Sequence, residues 1–285
     1  MRLISDKDFL IVGLGLIGGS YARALKRLGF HVEAIDTKES AIEYALENEI
    51  IDAGYSYVNE KCVSDADIII FALYPEVFRE WIVRYQHLIK NGVLITDVTG
   101  VKGCIVRDIQ ELLRPEIEFI AAHPMAGREV YGVENSDDRI FRDANFIVVP
   151  TEKNSEGAIE WCKELGRILG CRNVTTLTPE EHDEMIGFVS QLTHCIAVSL
   201  MTCNDNPKLV DYTGDSFRDL TRIARINEDM WSELFLMNRE ALLKQMNAFE
   251  SEFDLLKEML ESGDREGIKE KMRLSTARRS LFDKK

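Results

Sequence analysis

The chain has 285 residues, 45% of them hydrophobic, and a formal net charge of −14. That length predicts about two domains, and the acidic balance excludes nucleic acid as a partner, because phosphate binding needs a basic surface. Six cysteines (Cys62, Cys104, Cys162, Cys171, Cys195 and Cys203) fall without CxxC or zinc-ligand spacing, which predicts reduced thiols in a cytoplasmic protein with no disulfide and no metal. The apolar run at residues 9–19 is too short for a membrane span. The residues ahead of it, Arg2, Asp6, Lys7 and Asp8, cancel in charge, unlike a secretory leader. A small anionic substrate stays open, since it feels local arginines more than net charge.

Residues 9–12 read as a buried strand. They run into Gly13-x-Gly15-x-x-Gly18, and a helical pattern (Tyr21, Ala22, Leu25, Leu28) follows at once. In such a turn one glycine permits the tight bend, one lets backbone approach a pyrophosphate, and one lets helix pack on strand. Gly13, Gly15, Leu16, Ile17 and Gly18 are therefore the candidate cofactor cradle, with the phosphates at a helix N-terminus. The next strand, residues 31–36, ends in Asp36, 18 residues beyond Gly18. A carboxylate there can accept from ribose hydroxyls and repels a 2′-phosphate, so NAD is the expected cofactor.

Residues 40–48 read as helix, 67–73 as a buried strand, 77–89 as helix and 93–96 as strand. Helix is expected at 105–113, and extended chain at 118–122 and 146–149. Continuous apolar strands alternating with helices predict a parallel sheet covered on both faces. Ligands lie beyond the carboxyl ends of such strands, which adds Leu73, Tyr74 and residues 97–102 to the expected crevice. His123 stands just past a predicted strand end. A histidine there serves as a base in alcohol dehydrogenation or caps backbone in a Pro/Gly loop, and position alone leaves both readings open.

A last strand is predicted at 172–177. Thr178-Pro179-Glu180-Glu181 then reads as a capping box opening a long apolar helix, expected to be buried in a domain. On it Gly187, Ser190, Gln191 and His194 share one face at helical spacing. They line a substrate site or bond to neighbouring helices. Arg218 and Arg222, four apart, point the same way from a helix. They bind an anionic substrate or pair with Asp215 and Asp219. The final long helix carries Leu242, Met246, Phe249, Phe253, Leu256 and Leu260 in a coiled-coil-like seam, which predicts a homodimer. The fold expected is α/β: a Rossmann-type, mostly parallel sheet domain over residues 1–177, then an all-α domain over 178–285 for substrate binding and dimerisation.

His-Pro-Met-Ala-Gly-Arg-Glu at 123–129 and Phe-Arg-Asp-Leu-Thr-Arg-Ile-Ala at 217–224 resemble the prephenate dehydrogenase family. Gly-Leu-Ile-Gly-Gly-Ser at 15–20, Asp97-x-x-x-Val101-Lys102-Gly103 and Ser190-x-Leu192-x-His194 agree with it, so the resemblance covers nearly the whole chain. The family oxidatively decarboxylates prephenate to 4-hydroxyphenylpyruvate with NAD(P), on the route to tyrosine. The resemblance implies that His123 takes the ring hydroxyl proton, that Arg222 holds a substrate carboxylate and that His194 lines the pocket. It implies no metal. Two positions depart from the pattern. Gly100 stands where many relatives carry a serine beside the catalytic histidine, which makes Thr99 the candidate replacement hydroxyl. Gln191 stands where many carry a substrate-contacting histidine, which bears on the choice between prephenate and arogenate. Arogenate dehydrogenase is thus the nearest alternative. A β-hydroxyacid dehydrogenase or imine reductase, which usually uses a lysine or aspartate on the long helix, is a further one, and no lysine lies in residues 180–203.

Overall fold

The apolar runs form the first sheet. β1 (Asp8–Val12), β4 (Ile68–Phe71) and β5 (Leu94–Asp97) lie at its centre, flanked by β2 (His31–Ile35), β3 (Ala53–Tyr55) and β6 (Glu118–Phe119). Order is β3-β2-β1-β4-β5-β6 with every pairing parallel. The computed structural model describes residues 7–283, so Arg2 and Asp6 lie outside it. Helices α1 (Leu16–Arg27), α2 (Glu39–Glu47), α3 (Glu60–Asp65), α4 (Pro75–Tyr85) and α5 (Gly103–Leu112) make the crossovers. Alternate residues of β1 feed separate cores: Phe9 and Ile11 pack with Tyr21 and Leu25, whereas Leu10 and Val12 pack with Phe71 and Phe78. A strand buried on both faces needs apolar residues at every position, which is why periodicity within it is lost.

The extended stretch predicted at 118–122 is two strands in two sheets. β6 ends at Phe119, and β7 (Ala121–Met125) pairs antiparallel with β8 (Asn145–Val149), itself parallel to β9 (Asn173–Thr176). α6 (Glu156–Ile168) links the last two. The switch occurs where β5 ends, because the Ala122 amide donates to the Asp97 carboxylate (3.1 Å) rather than to a ladder carbonyl. His123 therefore sits within β7, opposite Ile147, and not beyond a strand.

Residues through Asn238 pack as one compact unit, and α11 (Arg239–Ser262) with α12 (Arg265–Arg279) belong to a second. The first unit includes α7 (Pro179–Ile186), opened by the predicted capping box: the Glu181 amide donates to Thr178 Oγ1 (3.2 Å) and the Thr178 amide to Glu181 Oε2 (2.9 Å). Residues 187–192 then widen into a π turn before α8 (Thr193–Thr202). That turn breaks the regular spacing expected of residues 187–194 and buries the Gln191 side chain. Residues 179–202 are long and apolar enough to cross a membrane by length and composition. One side carries buried His182, Asp183 and Gln191, but Met185, Phe188 and Val189 are exposed, so the helix is only partly covered, contrary to expectation. α9 (Asp215–Thr221) and α10 (Glu228–Met237) complete this unit.

In the second unit Lys271 Nζ donates to Glu252 Oε2 (2.6 Å), tying α12 to α11. Along the predicted seam Met246, Phe249, Phe253 and Leu260 are exposed within the single chain.

Candidate active site

One cleft of about 550 Å³ gathers most of the expected residues. Its walls are residues 15–18, 72–75, 98–100 and 123–132, then Ile186, Ser190, Gln191 and His194, then Ile223 and residues 225–227, 230, 231 and 234. The carboxyl ends of β1, β4 and β5 open into it, as a doubly wound sheet requires.

The glycine turn is built as its spacing implies. Gly13 has φ +99°, and a Cβ there would stand 2.5 Å from the Ala72 carbonyl oxygen. A Cβ at Gly18 would stand 1.9 Å from the Gly13 oxygen, so only glycine lets α1 start this close to β1. At Gly15 the added atom would meet nothing within 4 Å, and the α1 N-terminus has no side-chain cap. Leu16, Ile17, Leu73 and Tyr74 line the same part of the cleft. Gly13 and Asp36 stand behind its wall. The Gly13 amide donates to Ile35 O (2.8 Å), and Asp36 accepts from the Leu14 amide (2.6 Å) and the Lys38 amide (2.8 Å), locking the acid beside the turn.

His123, half-buried, lines the same cleft as this turn. Burial, then the neighbouring charges of His182 and Lys102, push it well below the usual histidine range, so its ring is neutral near pH 7. Its Nδ1 lies 2.9 Å from His182 Nε2, and His182 Nδ1 lies 2.7 Å from Asp183 Oδ1. His194, also pushed down by burial, lies over Trp231 with ring centroids 3.7 Å apart.

Three expected substrate or catalytic residues bond to neighbours in the protein. The Thr99 hydroxyl bonds to the Asp97 carboxylate and accepts from Lys102 Nζ (3.1 Å), inside a fully buried Lys102–Asp97 pair (2.7 Å). The hydroxyl is held in that cluster, and Thr99 itself lines the cleft beside Gly100. Gln191 reaches the cleft wall, but its amide donates to Leu234 O (3.0 Å) and accepts from Asn238 (2.7 Å), joining the π turn to α10. Arg218 is exposed, pairs with Asp215 (3.5 Å) and lies outside the lining. The expected shared face is lost because α9 ends at Thr221 and the chain tightens into a 3₁₀ turn at Arg222. Arg222 is also outside the lining but bonds the carboxylate of Glu129, which is in it.

Sequence reasoning assigned no role to His182, Asp183, Arg225 or Trp231. A histidine and an aspartate in the first turns after the capping box were the available signal for the first two. Arg225 lines the cleft and forms no ion pair among the described residues.

Two family models match the chain: the prephenate dehydrogenase nucleotide-binding domain over residues 21–175 and the prephenate dehydrogenase dimerization domain over 178–274. The chain belongs to the prephenate dehydrogenase family. Prephenate dehydrogenase of Bacillus subtilis (strain 168) is 31% identical over 271 residues, 91% of this chain and 71% of that protein. Cyclohexadienyl dehydrogenase of Zymomonas mobilis is 27% identical over 266 residues, covering 90% of both chains. The crystal structure of Aquifex aeolicus prephenate dehydrogenase in complex with hydroxyphenyl propionate and NAD+ superposes with a TM-score of 0.90 at 31% identity, covering 98% of this chain and 99% of that one. Within a dehydrogenase family that includes prephenate and cyclohexadienyl enzymes, the cleft between the glycine turn and His123 is the candidate active site.

Proposed function

We propose that this protein is an NAD-dependent prephenate dehydrogenase, converting prephenate to 4-hydroxyphenylpyruvate and carbon dioxide. The observation that carries the reading is that His123 and an uncapped helix N-terminus line one cleft. The residues present fit the dinucleotide. Gly15 leaves open space where the phosphates would approach, and Asp36, fixed beside the turn by the Leu14 and Lys38 amides, would accept from the ribose hydroxyls. NAD bound there supplies the hydride acceptor. His123 accepts the ring hydroxyl proton as the carbinol carbon is oxidised, and the bond to the ring carboxylate breaks with loss of carbon dioxide. The ring then becomes aromatic, and the proton returns to the phenolic oxygen. A positioned base of this kind contributes about 10²–10⁴-fold.

Arg222 and Arg225 would hold the substrate's carboxylates. The Glu129 carboxylate beside Arg222 favours one second reading, arogenate, whose side chain pairs an ammonium with a carboxylate. We assign nucleotide binding to residues 1–177, and substrate binding and dimerisation to 178–285. The exposed apolar side chains Phe188, Val189, Phe249 and Phe253 support a homodimer. The experiment is an assay of prephenate and arogenate, each with NAD and with NADP. Prephenate with NAD should turn over fastest, and no turnover of either substrate would overturn the reading.

A further inference from the structure

We propose that His182 and Asp183 are positioning residues that set the tautomer of His123, leaving its Nε2 bare toward the cleft. The inference rests on the reading of His123 as the base.

The chain of contacts starts at the N-terminus of α5. The Asp183 carboxylate accepts from the Lys102 amide through Oδ1 (2.8 Å) and from the Gly103 amide through Oδ2 (2.7 Å). These are helix N-terminal N–H groups, whose dipole favours negative charge. Gly103 gives the carboxylate its room, since a Cβ there would stand 2.9 Å from Oδ2. With Asp183 acting as acceptor throughout, the 2.7 Å contact to His182 must be a donation from Nδ1–H. A neutral imidazole has one donor and one acceptor nitrogen, so His182 Nε2 accepts. The 2.9 Å contact to His123 is then a donation from His123 Nδ1–H, and its lone pair is on Nε2.

The surroundings hold the pair in this state. His182 is fully buried, and its burial outweighs the attraction of Asp183 in setting its proton affinity. The Lys102 ammonium, paired with Asp97 and Thr99, opposes positive charge on either ring. Before reaction both rings are therefore neutral. When Nε2 of His123 takes the hydroxyl proton, its Nδ1–H proton can pass to His182 Nε2, which moves the positive charge beside the Asp183 carboxylate. The reverse transfer returns the proton to the phenolic oxygen, so no proton is gained or lost over the cycle. The logic is that of an aspartate orienting a catalytic histidine, with one more ring between them.

The test uses the full-length enzyme and two substitutions. His182→Ala removes the acceptor, so His123 is free to adopt either tautomer. Its kcat should fall about 10²-fold or more, the acid limb of the kcat–pH profile should shift, and KM for prephenate should stay within about threefold. His182→Gln keeps an acceptor oxygen in reach of His123 Nδ1 and should recover at least tenfold of that loss. An unchanged kcat and pH limb in His182→Ala, or a glutamine variant no better than alanine, would overturn the proposal. A second measurement needs no variant: ¹⁵N spectra of histidine-labelled wild type should show His123 protonated at Nδ1, and a signal from the Nε2–H tautomer would overturn it. Failure of wild type to oxidise prephenate would instead strike the proposed reaction, leaving the tautomer result to stand or fall by itself.

Discussion

Arg222 bonds the carboxylate of Glu129, so the arginine that the family motif assigns to a substrate carboxylate already has an anionic partner at the cleft. Both side chains are substantially solvated, and pairs of that kind contribute roughly 0–1 kcal/mol. The pair is therefore weak enough for a substrate to displace.

Glu129→Gln should lower KM for prephenate by about two- to fivefold, the equivalent of releasing such a pair. Arg222→Ala and Arg225→Gln should each raise it, with the dissociation constant for NAD unchanged. Initial rates over a range of prephenate concentrations check all three. A KM indifferent to both arginines would remove them from the site.

His123→Asn should lower kcat about 10²–10⁴-fold, the usual loss of a general base. NAD affinity, read by fluorescence titration, should be retained, because the histidine lies on β7 and outside the glycine turn proposed to hold the nucleotide. Near-normal turnover would exclude His123 as the base.

The glycines separate folding from binding. Gly18→Ala forces a Cβ to within 1.9 Å of the Gly13 carbonyl oxygen and should destabilise the protein by about 1–3 kcal/mol, as overpacking does. Gly15→Ala meets no protein atom, so its melting temperature should match wild type while NAD binding weakens. Paired thermal melts and NAD titrations distinguish the two. Equal melting temperatures would show that Gly18 is not a packing glycine.

Acid should destabilise the fold through the His123 and His182 rings. His123 and His182 are both depressed below the ordinary histidine value, so between their folded values and about pH 6.5 the unfolded chain binds more protons. Their contribution is present above about pH 6.5 and is lost as pH falls, by up to about 1.4 kcal/mol per pH unit for each ring. Urea unfolding at pH 7.5 and 5.5 measures the slope, which should be smaller in His123→Asn. An identical slope would mean that the ring is not held neutral by the fold.

The amino-acid sequence determined what local chemistry can specify. The buried strands were legible as apolar runs, the start of α7 as a capping box, and the nucleotide turn as three glycines with different steric duties. Each of these depends on residues within a few positions of one another, or on the period of a single element. The tertiary structure decided the rest. Nothing local to residues 118–122 marks a change of sheet, because the Asp97 carboxylate that takes the Ala122 amide is 25 positions away. Nothing local to residues 187–194 announces a π turn, yet Ser190, Gln191 and His194 still reach one cleft, and the Gln191 amide also bonds Leu234 O and Asn238 from distant positions. The same holds for function. Arg222 meets Glu129 across 93 positions, and His123 meets His182 across 59. Hydrogen bonds and ion pairs depend on distance in space, and only the packed chain sets that distance.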